Sequence, residues 1–372
     1  MSINKDAHGG NVYNAGSQYN LDINEILDYS ANINPLGVPQ TLQQAIINNF
    51  DLLTHYPDPD YMNARRSLAN WHGIEKSNII MGNGATEIIF LLMEVFKPRK
   101  ILIPCPSFSE YEQAAITAGC KVEHYRIKEE EDFIINVQDL INNIHKEIEM
   151  LILCNPNNPT SQIIKKDKMK EILSFCRENG ITVVIDEAFI DFTDEQLHLS
   201  MVDQLEIYPN LFIIKALTKF FAIPGLRLGY GIAGERFIKR MEHKKQPWTL
   251  NNFASMAAEI LPHDVEYIRV SSQWIKEEGV RFFQLLSKIE GIKVFKPSSN
   301  FILIKLLDPH LTSGILCDKM MGNGILIRNA ENFTFLDKQY IRIAIKDGRS
   351  NDIFIQRLKQ TLMEGKQHEL YT

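Results

Sequence analysis

Three polar side chains stand at the ends of short apolar runs, spaced about one strand–helix–strand unit apart. Asn158 follows the run 149–154 (EMLILC), Asp186 ends 182–186 (TVVID), and Lys219 follows 211–215 (LFIIK). The intervals are 28 residues from Asn158 to Asp186 and 33 from Asp186 to Lys219, close to the ~30 residues of a βαβ unit. Each run is continuously apolar rather than alternating, as a strand covered on both faces should be. Runs 78–81 and 100–104 read the same way. Helical stretches lie between them, such as 165–178, followed by the Asn179-Gly180 pair suited to a C-cap. The spacing therefore predicts an α/β fold, a mostly parallel sheet with helices on both faces, and brings the three polar groups to one edge.

The final third reads differently. A long helix is expected over 265–290, then strands at 300–305, 324–328 and 340–345, then a helix over 352–363. A chain of 372 residues exceeds what one core usually supports. The expected division is an N-terminal segment 1–45 packing with the small domain, a large domain 46–260, and a small α+β domain 261–372. A formal net charge of −6 argues against a general nucleic-acid binder. No apolar run approaches the ~20 residues of a membrane span, and the N-terminus MSINKDAHGGN has no apolar stretch like a signal peptide's. The five cysteines form no CxxC pair, which suits free thiols in a reducing cytosol. The expectation is a cytoplasmic protein with neither membrane nor nucleic-acid partner and no metal.

Four constellations can carry chemistry. Gly82-Asn83-Gly84-Ala85-Thr86-Glu87 follows a strand and opens a helix over 85–96. Glycines let an anion approach the free N–H groups at a helix start, although such a turn can also be purely structural. It is not a P-loop, because no Gly-Lys-Ser/Thr follows. Asn155-Pro156-Asn157-Asn158-Pro159-Thr160 leaves the end of the run 149–154, where α/β proteins bind ligands. Asp186, in Asp186-Glu187-Ala188-Phe189, is costly to bury unless paired; a cap or structural ion pair is the alternative. Lys219 sits among apolar residues in Leu217-Thr218-Lys219-Phe220-Phe221-Ala222-Ile223-Pro224-Gly225-Leu226-Arg227. Desolvation there would lower its pKa toward a usable amine. Lys215 competes for that role, but its neighbours offer no anion site.

Taken together, the Gly-rich helix start, NPNNPT, DEAF and T-K-x₇-R resemble the fold-type I, aspartate aminotransferase-like enzymes that depend on pyridoxal 5′-phosphate (PLP). The resemblance covers nearly the whole chain. It implies that Lys219 forms the Schiff base, Asp186 pairs with the pyridine nitrogen, Asn158 hydrogen-bonds the ring O3′ and Phe108 stacks on the ring. Gly84, Ala85 and Thr86, with Thr218 and Arg227, would hold the cofactor phosphate. Tyr56, in His55-Tyr56-Pro57-Asp58, resembles a tyrosine contributed across a homodimer interface.

His8-Gly9-Gly10-Asn11, the stretch 30–37 (SANINPLG) and 221–230 (FAIPGLRLGY) resemble the branch of that family whose substrates carry a phosphate monoester. By this resemblance Arg342 receives the substrate's acidic end, Arg328 binds its phosphate, and His8 and Asn32 fold over it beside Asn158. A surface arginine or a mobile N-terminal histidine is the alternative. The first activity implied is decarboxylation of O-phospho-L-threonine for cobalamin biosynthesis. The second is transamination of histidinol phosphate with 2-oxoglutarate, and the third is decarboxylation of phosphoserine, which differs by one methyl group; a cofactor-binding sensor without turnover is the alternative from another class. Three positions depart from the family. Ala216 replaces a serine, removing one phosphate hydroxyl. Phe189 replaces a tyrosine near O3′, which predicts a raised pKa for the cofactor–lysine linkage. Ser161 replaces the glycine after NPT, a change to which the sequence attaches no physical reason.

Overall fold

The computed structural model describes residues 9–194 and 198–369, so His8 lies outside the described residues. Thirteen strands occur among the described residues: β1 (Leu27–Asp28), β2 (Ile79–Asn83), β3 (Lys100–Cys105), β4 (Lys121–Arg126), β5 (Met150–Cys154), β6 (Thr182–Asp186), β7 (Leu211–Ala216), β8 (Leu228–Ala233), β9 (Ile292–Val294), β10 (Phe301–Leu306), β11 (Ile325–Leu326), β12 (Arg328–Asn329) and β13 (Tyr340–Ala344). The central sheet has seven strands in the order β2-β8-β7-β6-β5-β3-β4. Its pairings from β4 across to β7 are parallel, and β8 alone runs the other way, between β7 and β2.

Both faces of this sheet are covered. Val183, Ile185, Leu211 and Ile213 join one core with Met169, Ile172 and Leu173 of the helix Lys166–Glu178. Val184, Phe212 and Ile214 join another with Ile88, Ile89 and Leu92 of the helix Gly84–Phe96. Alternate residues of one strand therefore feed opposite layers, which is why the runs are apolar throughout. Each such side chain contributes roughly 1.5–3 kcal/mol on burial.

A second, antiparallel sheet has the order β12-β13-β10-β9 and packs with the helices Val265–Leu286 and Gly348–Glu369. The expected strands 78–81, 100–104, 149–154, 182–186 and 211–215 all form, within two residues at their ends. Three expectations are corrected. The helix expected over 265–290 stops at Leu286, because Ser287 closes it onto Leu285 and Phe283. The expected strand 324–328 is two strands in different sheets, β11 beside β1 and β12 beside β13. The last helix begins at Gly348 and runs past 363. The N-terminal stretch is stitched to this part of the chain: β1 pairs with β11 in a two-stranded sheet of their own, and the Ala344 N–H of β13 donates to the Tyr29 carbonyl at 2.8 Å. That stitching delivers Ser30, Ala31 and Asn32 to the edge where β5, β6 and β7 end.

Candidate active site

The parallel register aligns Cys154 of β5 with Asp186 of β6, and Asp186 with Ile214 of β7. The residues just beyond these strand ends therefore open on one side of the sheet. A cavity of about 480 Å³ lies there, between the two sheets. Gly84, Ala85, Thr86, Phe108, Asn158, Asp186, Thr218, Lys219 and Arg227 all line it, as do Asn32, Arg328 and Arg342. Of the site residues expected from sequence, Tyr56 does not reach this cavity. It is 83% exposed, its ring 5.1 Å from that of Trp248. His8 lies outside the described residues, but its neighbour Gly9 lines the cavity, and the Gly10 N–H donates to Ser30 Oγ at 2.7 Å.

Asp186 is a buried carboxylate with no cation beside it among the described residues. Its Oδ2 accepts from the Tyr111 hydroxyl at 2.7 Å and its Oδ1 from the Ala188 N–H at 2.9 Å. Burial pushes its pKa up, against those two hydrogen bonds. A protonated ring nitrogen would supply the missing positive charge. Lys219 sits on the short helix Leu217–Phe220 that follows β7. Burial, then the charges of Arg342 and Arg227, lower its amine to about 8.

At the opposite end, the helix Gly84–Phe96 points its N-terminus into the cavity. Gly84 has φ +79°, and a Cβ there would stand 2.5 Å from Arg227 Nη2. A Cβ on Gly229 would stand 2.3 Å from the Ala85 nitrogen. The two glycines thus let strand β8, the helix start and the Arg227 guanidinium close on one another. Arg227 itself has φ +57° and forms no ion pair among the described residues. Free N–H groups, a helix N-terminus and an unpaired guanidinium make an anion cradle fit for a phosphate.

Arg328 on β12 and Arg342 on β13 are register partners, both buried and both lining the cavity. Arg342 Nη1 donates to Asn158 Oδ1 at 2.6 Å and Nη2 to the Ser30 carbonyl, while its Nε is buried without a partner. Arg328 Nη2 donates to Asn332 Oδ1 at 2.7 Å. Burial and then Arg328 push the Arg342 pKa down. Like charges facing each other across two strands are destabilising, so an anion between them would relieve the repulsion. The Oδ1 of Asn32 is likewise buried and unpartnered at the cavity.

Lys215 is resolved as structural. It projects away from the cavity into a pair with Glu187 at 3.3 Å and Asp191 at 3.8 Å. Burial opposes its charge, but Asp191 and Glu187 hold its pKa up. Phe189 and Ala216 both line the cavity without a hydroxyl, consistent with the departures noted in the sequence. Sequence reasoning missed Tyr111 and Ser30. Tyr111 lies in the unremarkable stretch SFSEY, and nothing local shows that its hydroxyl meets Asp186. The five cysteines are free.

These features define a site for a cofactor bearing a carbonyl, a basic ring nitrogen and a phosphate. Residues 17–358 match the aminotransferase class I and II family, and the chain belongs to that family. It is 33% identical over 97% of its length to threonine-phosphate decarboxylase of Salmonella typhimurium, covering 98% of that protein. The crystal structure of histidinol-phosphate aminotransferase from Clostridium acetobutylicum is 40% identical, with a TM-score of 0.84, covering 90% of this chain and 98% of that one. That of L-threonine-O-3-phosphate decarboxylase from Porphyromonas gingivalis is 27% identical, with a TM-score of 0.82, covering 91% and 100%. PLP, the cofactor of the fold-type I enzymes, fits the residues present: an uncompensated Asp186, a lowered Lys219 amine and an anion cradle at Arg227.

Proposed function

We propose that this chain is a PLP-dependent decarboxylase of O-phospho-L-threonine, yielding 1-amino-2-propanol O-2-phosphate for cobalamin biosynthesis. The observation that carries the reading is the buried Arg328–Arg342 pair beside Lys219, with the Arg342 Nε left unpartnered. Two adjacent guanidinium groups suit a substrate with two acidic groups, a carboxylate and a phosphate.

When bound, the cofactor supplies an electron sink in conjugation with the substrate Cα. Asp186, ionised, holds a proton on the ring nitrogen. The helix start at Gly84–Thr86, Thr218 and Arg227 hold the cofactor phosphate, Asn158 meets O3′, and Phe108 covers the ring. Arg342 would orient the acidic end of the substrate, Arg328 would take the substrate phosphate, and Asn32 would close over it. Arg342 would hold the substrate carboxylate so that its bond to Cα can break, CO₂ leaving and the electron pair passing to that sink, and Lys219 Nζ would then deliver a proton to Cα.

The second reading is transamination of histidinol phosphate, favoured by the 40% identity to the Clostridium structure. In that case Lys219 Nζ would remove the Cα proton instead. The molecule is read as a cytoplasmic homodimer in which Tyr56 completes the partner's site. A large domain 46–260 and a small domain 261–372 flank the cavity, with 1–45 packed on the latter.

The test is to incubate PLP-loaded protein with O-phospho-L-threonine and follow CO₂ and the amine product. Release over many turnovers, lost in Lys219→Ala, is expected. No CO₂, together with 2-oxoglutarate-dependent turnover of histidinol phosphate, would replace the first reading by the second.

A further inference from the structure

Ser161 is wholly buried and has φ +61°, a left-handed conformation that side-chain-bearing residues adopt at a cost. It directly follows the loop Asn155–Thr160, and its N–H donates back to the Asn157 carbonyl at 2.7 Å. Its Oγ accepts from the Ser298 N–H at 3.1 Å and from the Ser299 N–H at 2.9 Å. Its carbonyl also accepts from the Ser298 N–H at 3.1 Å. One residue on, Gln162 Nε2 donates to the Lys296 carbonyl at 2.9 Å.

These contacts join the two halves of the cleft. The stretch 296–300 leads into β10, the strand that pairs Leu303 with Arg342 of β13. Asn300 Nδ2 donates to the Asn32 carbonyl at 3.0 Å, and the Asn300 carbonyl accepts from the Ile345 N–H at 2.8 Å. Three residues before Ser161, Asn158 holds Arg342 Nη1. The same loop therefore grips the second sheet twice, once at Arg342 and once at the entry to β10.

We propose that Ser161 is a positioning residue whose hydroxyl clamps the entry of β10 to the cofactor loop, so that Arg342 stands preset for the substrate's acidic group. This rests on the reading of Arg342 as the substrate-binding arginine. A glycine at this position adopts the left-handed backbone freely but leaves the Ser299 N–H buried without an acceptor. Serine accepts the backbone cost and supplies the acceptor.

The test compares Ser161→Gly and Ser161→Ala as holoenzymes. Both lose the hydroxyl, and glycine alone relieves the backbone. The expected pattern is a KM for the phosphorylated substrate raised about tenfold in both, with kcat and PLP affinity changed by less than about twofold. Thermal unfolding separates the two, with the alanine variant melting below the glycine variant. Amide exchange at Ser299, read without substrate, should quicken at least about tenfold in both, since Ser298 keeps the Ser161 carbonyl as acceptor. A KM raised in the alanine variant alone would assign the effect to backbone strain and overturn the proposal. Unchanged exchange in both variants overturns it as well. The exchange measurement does not depend on which phosphorylated amine is the substrate, so failure of the decarboxylase reading shows separately, as absence of CO₂ from the parent enzyme.

Discussion

An amine enclosed between two guanidinium groups holds its proton poorly. Burial first, and then the charges of Arg342 and Arg227, bring the Lys219 amine from the ordinary 10.5 to about 8. Folding therefore removes a proton from this lysine at pH values between about 8 and 10.5. Because the unfolded chain then binds more protons than the native one, the contribution of this group to stability rises with pH across that window. The chemical consequence is that half of the amine is neutral, and so nucleophilic, near pH 8. The rate at which cofactor-free protein captures PLP, followed by the cofactor's visible absorbance, should rise with pH through a midpoint near 8 and level off by about pH 9. A rate still climbing at pH 10 would show that the environment does not lower the amine. Asp186 presents the opposite case. Burial, with a smaller push from the Glu187 charge, raises its pKa, and a cationic ring nitrogen would bring it back down.

At the scale of elements, the anion cradle depends on the close approach of β8 to the start of the helix Gly84–Phe96. Gly229 faces Gly82 across the pairing of β8 with β2, and the Ala85 backbone lies directly over it. Gly229→Ala forces that helix start to move, at about 1–3 kcal/mol by the usual cost of overpacking. The expected result is PLP binding weakened at least about tenfold, with binding of pyridoxal, which lacks the phosphate, affected much less. Equal loss for both ligands, in equilibrium dialysis, would mean that the cradle does not hold the phosphate. The strand ends themselves were legible from sequence, because continuous apolar runs and turn residues are local signals. The reversal of β8 was not. Its residues LGYGIA carry no mark of direction, and the antiparallel pairing with β7 and β2 is decided by what neighbours it.

At the scale of the molecule, Tyr56 and Trp248 form an exposed aromatic pair away from the cavity of their own chain. If Tyr56 serves the partner's site, two dead variants should complement. In a mixed dimer of Lys219→Ala and Tyr56→Ala chains, one site carries both defects and the other carries neither. Equal mixing, with subunit exchange, should restore about a quarter of parental activity from the symmetry of the pairing. Activity no greater than the sum of the two separate variants would place Tyr56 outside the partner's site.

The sequence by itself determined the sheet, the edge at which it is open, and the three groups Asn158, Asp186 and Lys219 that meet there. Period, apolarity and turn chemistry act within about thirty residues, so they are written locally. Only the tertiary structure decided that Tyr111 meets Asp186, that Arg328 and Arg342 stand side by side, and that Ser161 clasps the entry of β10. Those contacts join residues far apart in the chain, as far as the 312 positions between Arg342 and Ser30. They follow from how two sheets pack against each other, which no short window of sequence encodes.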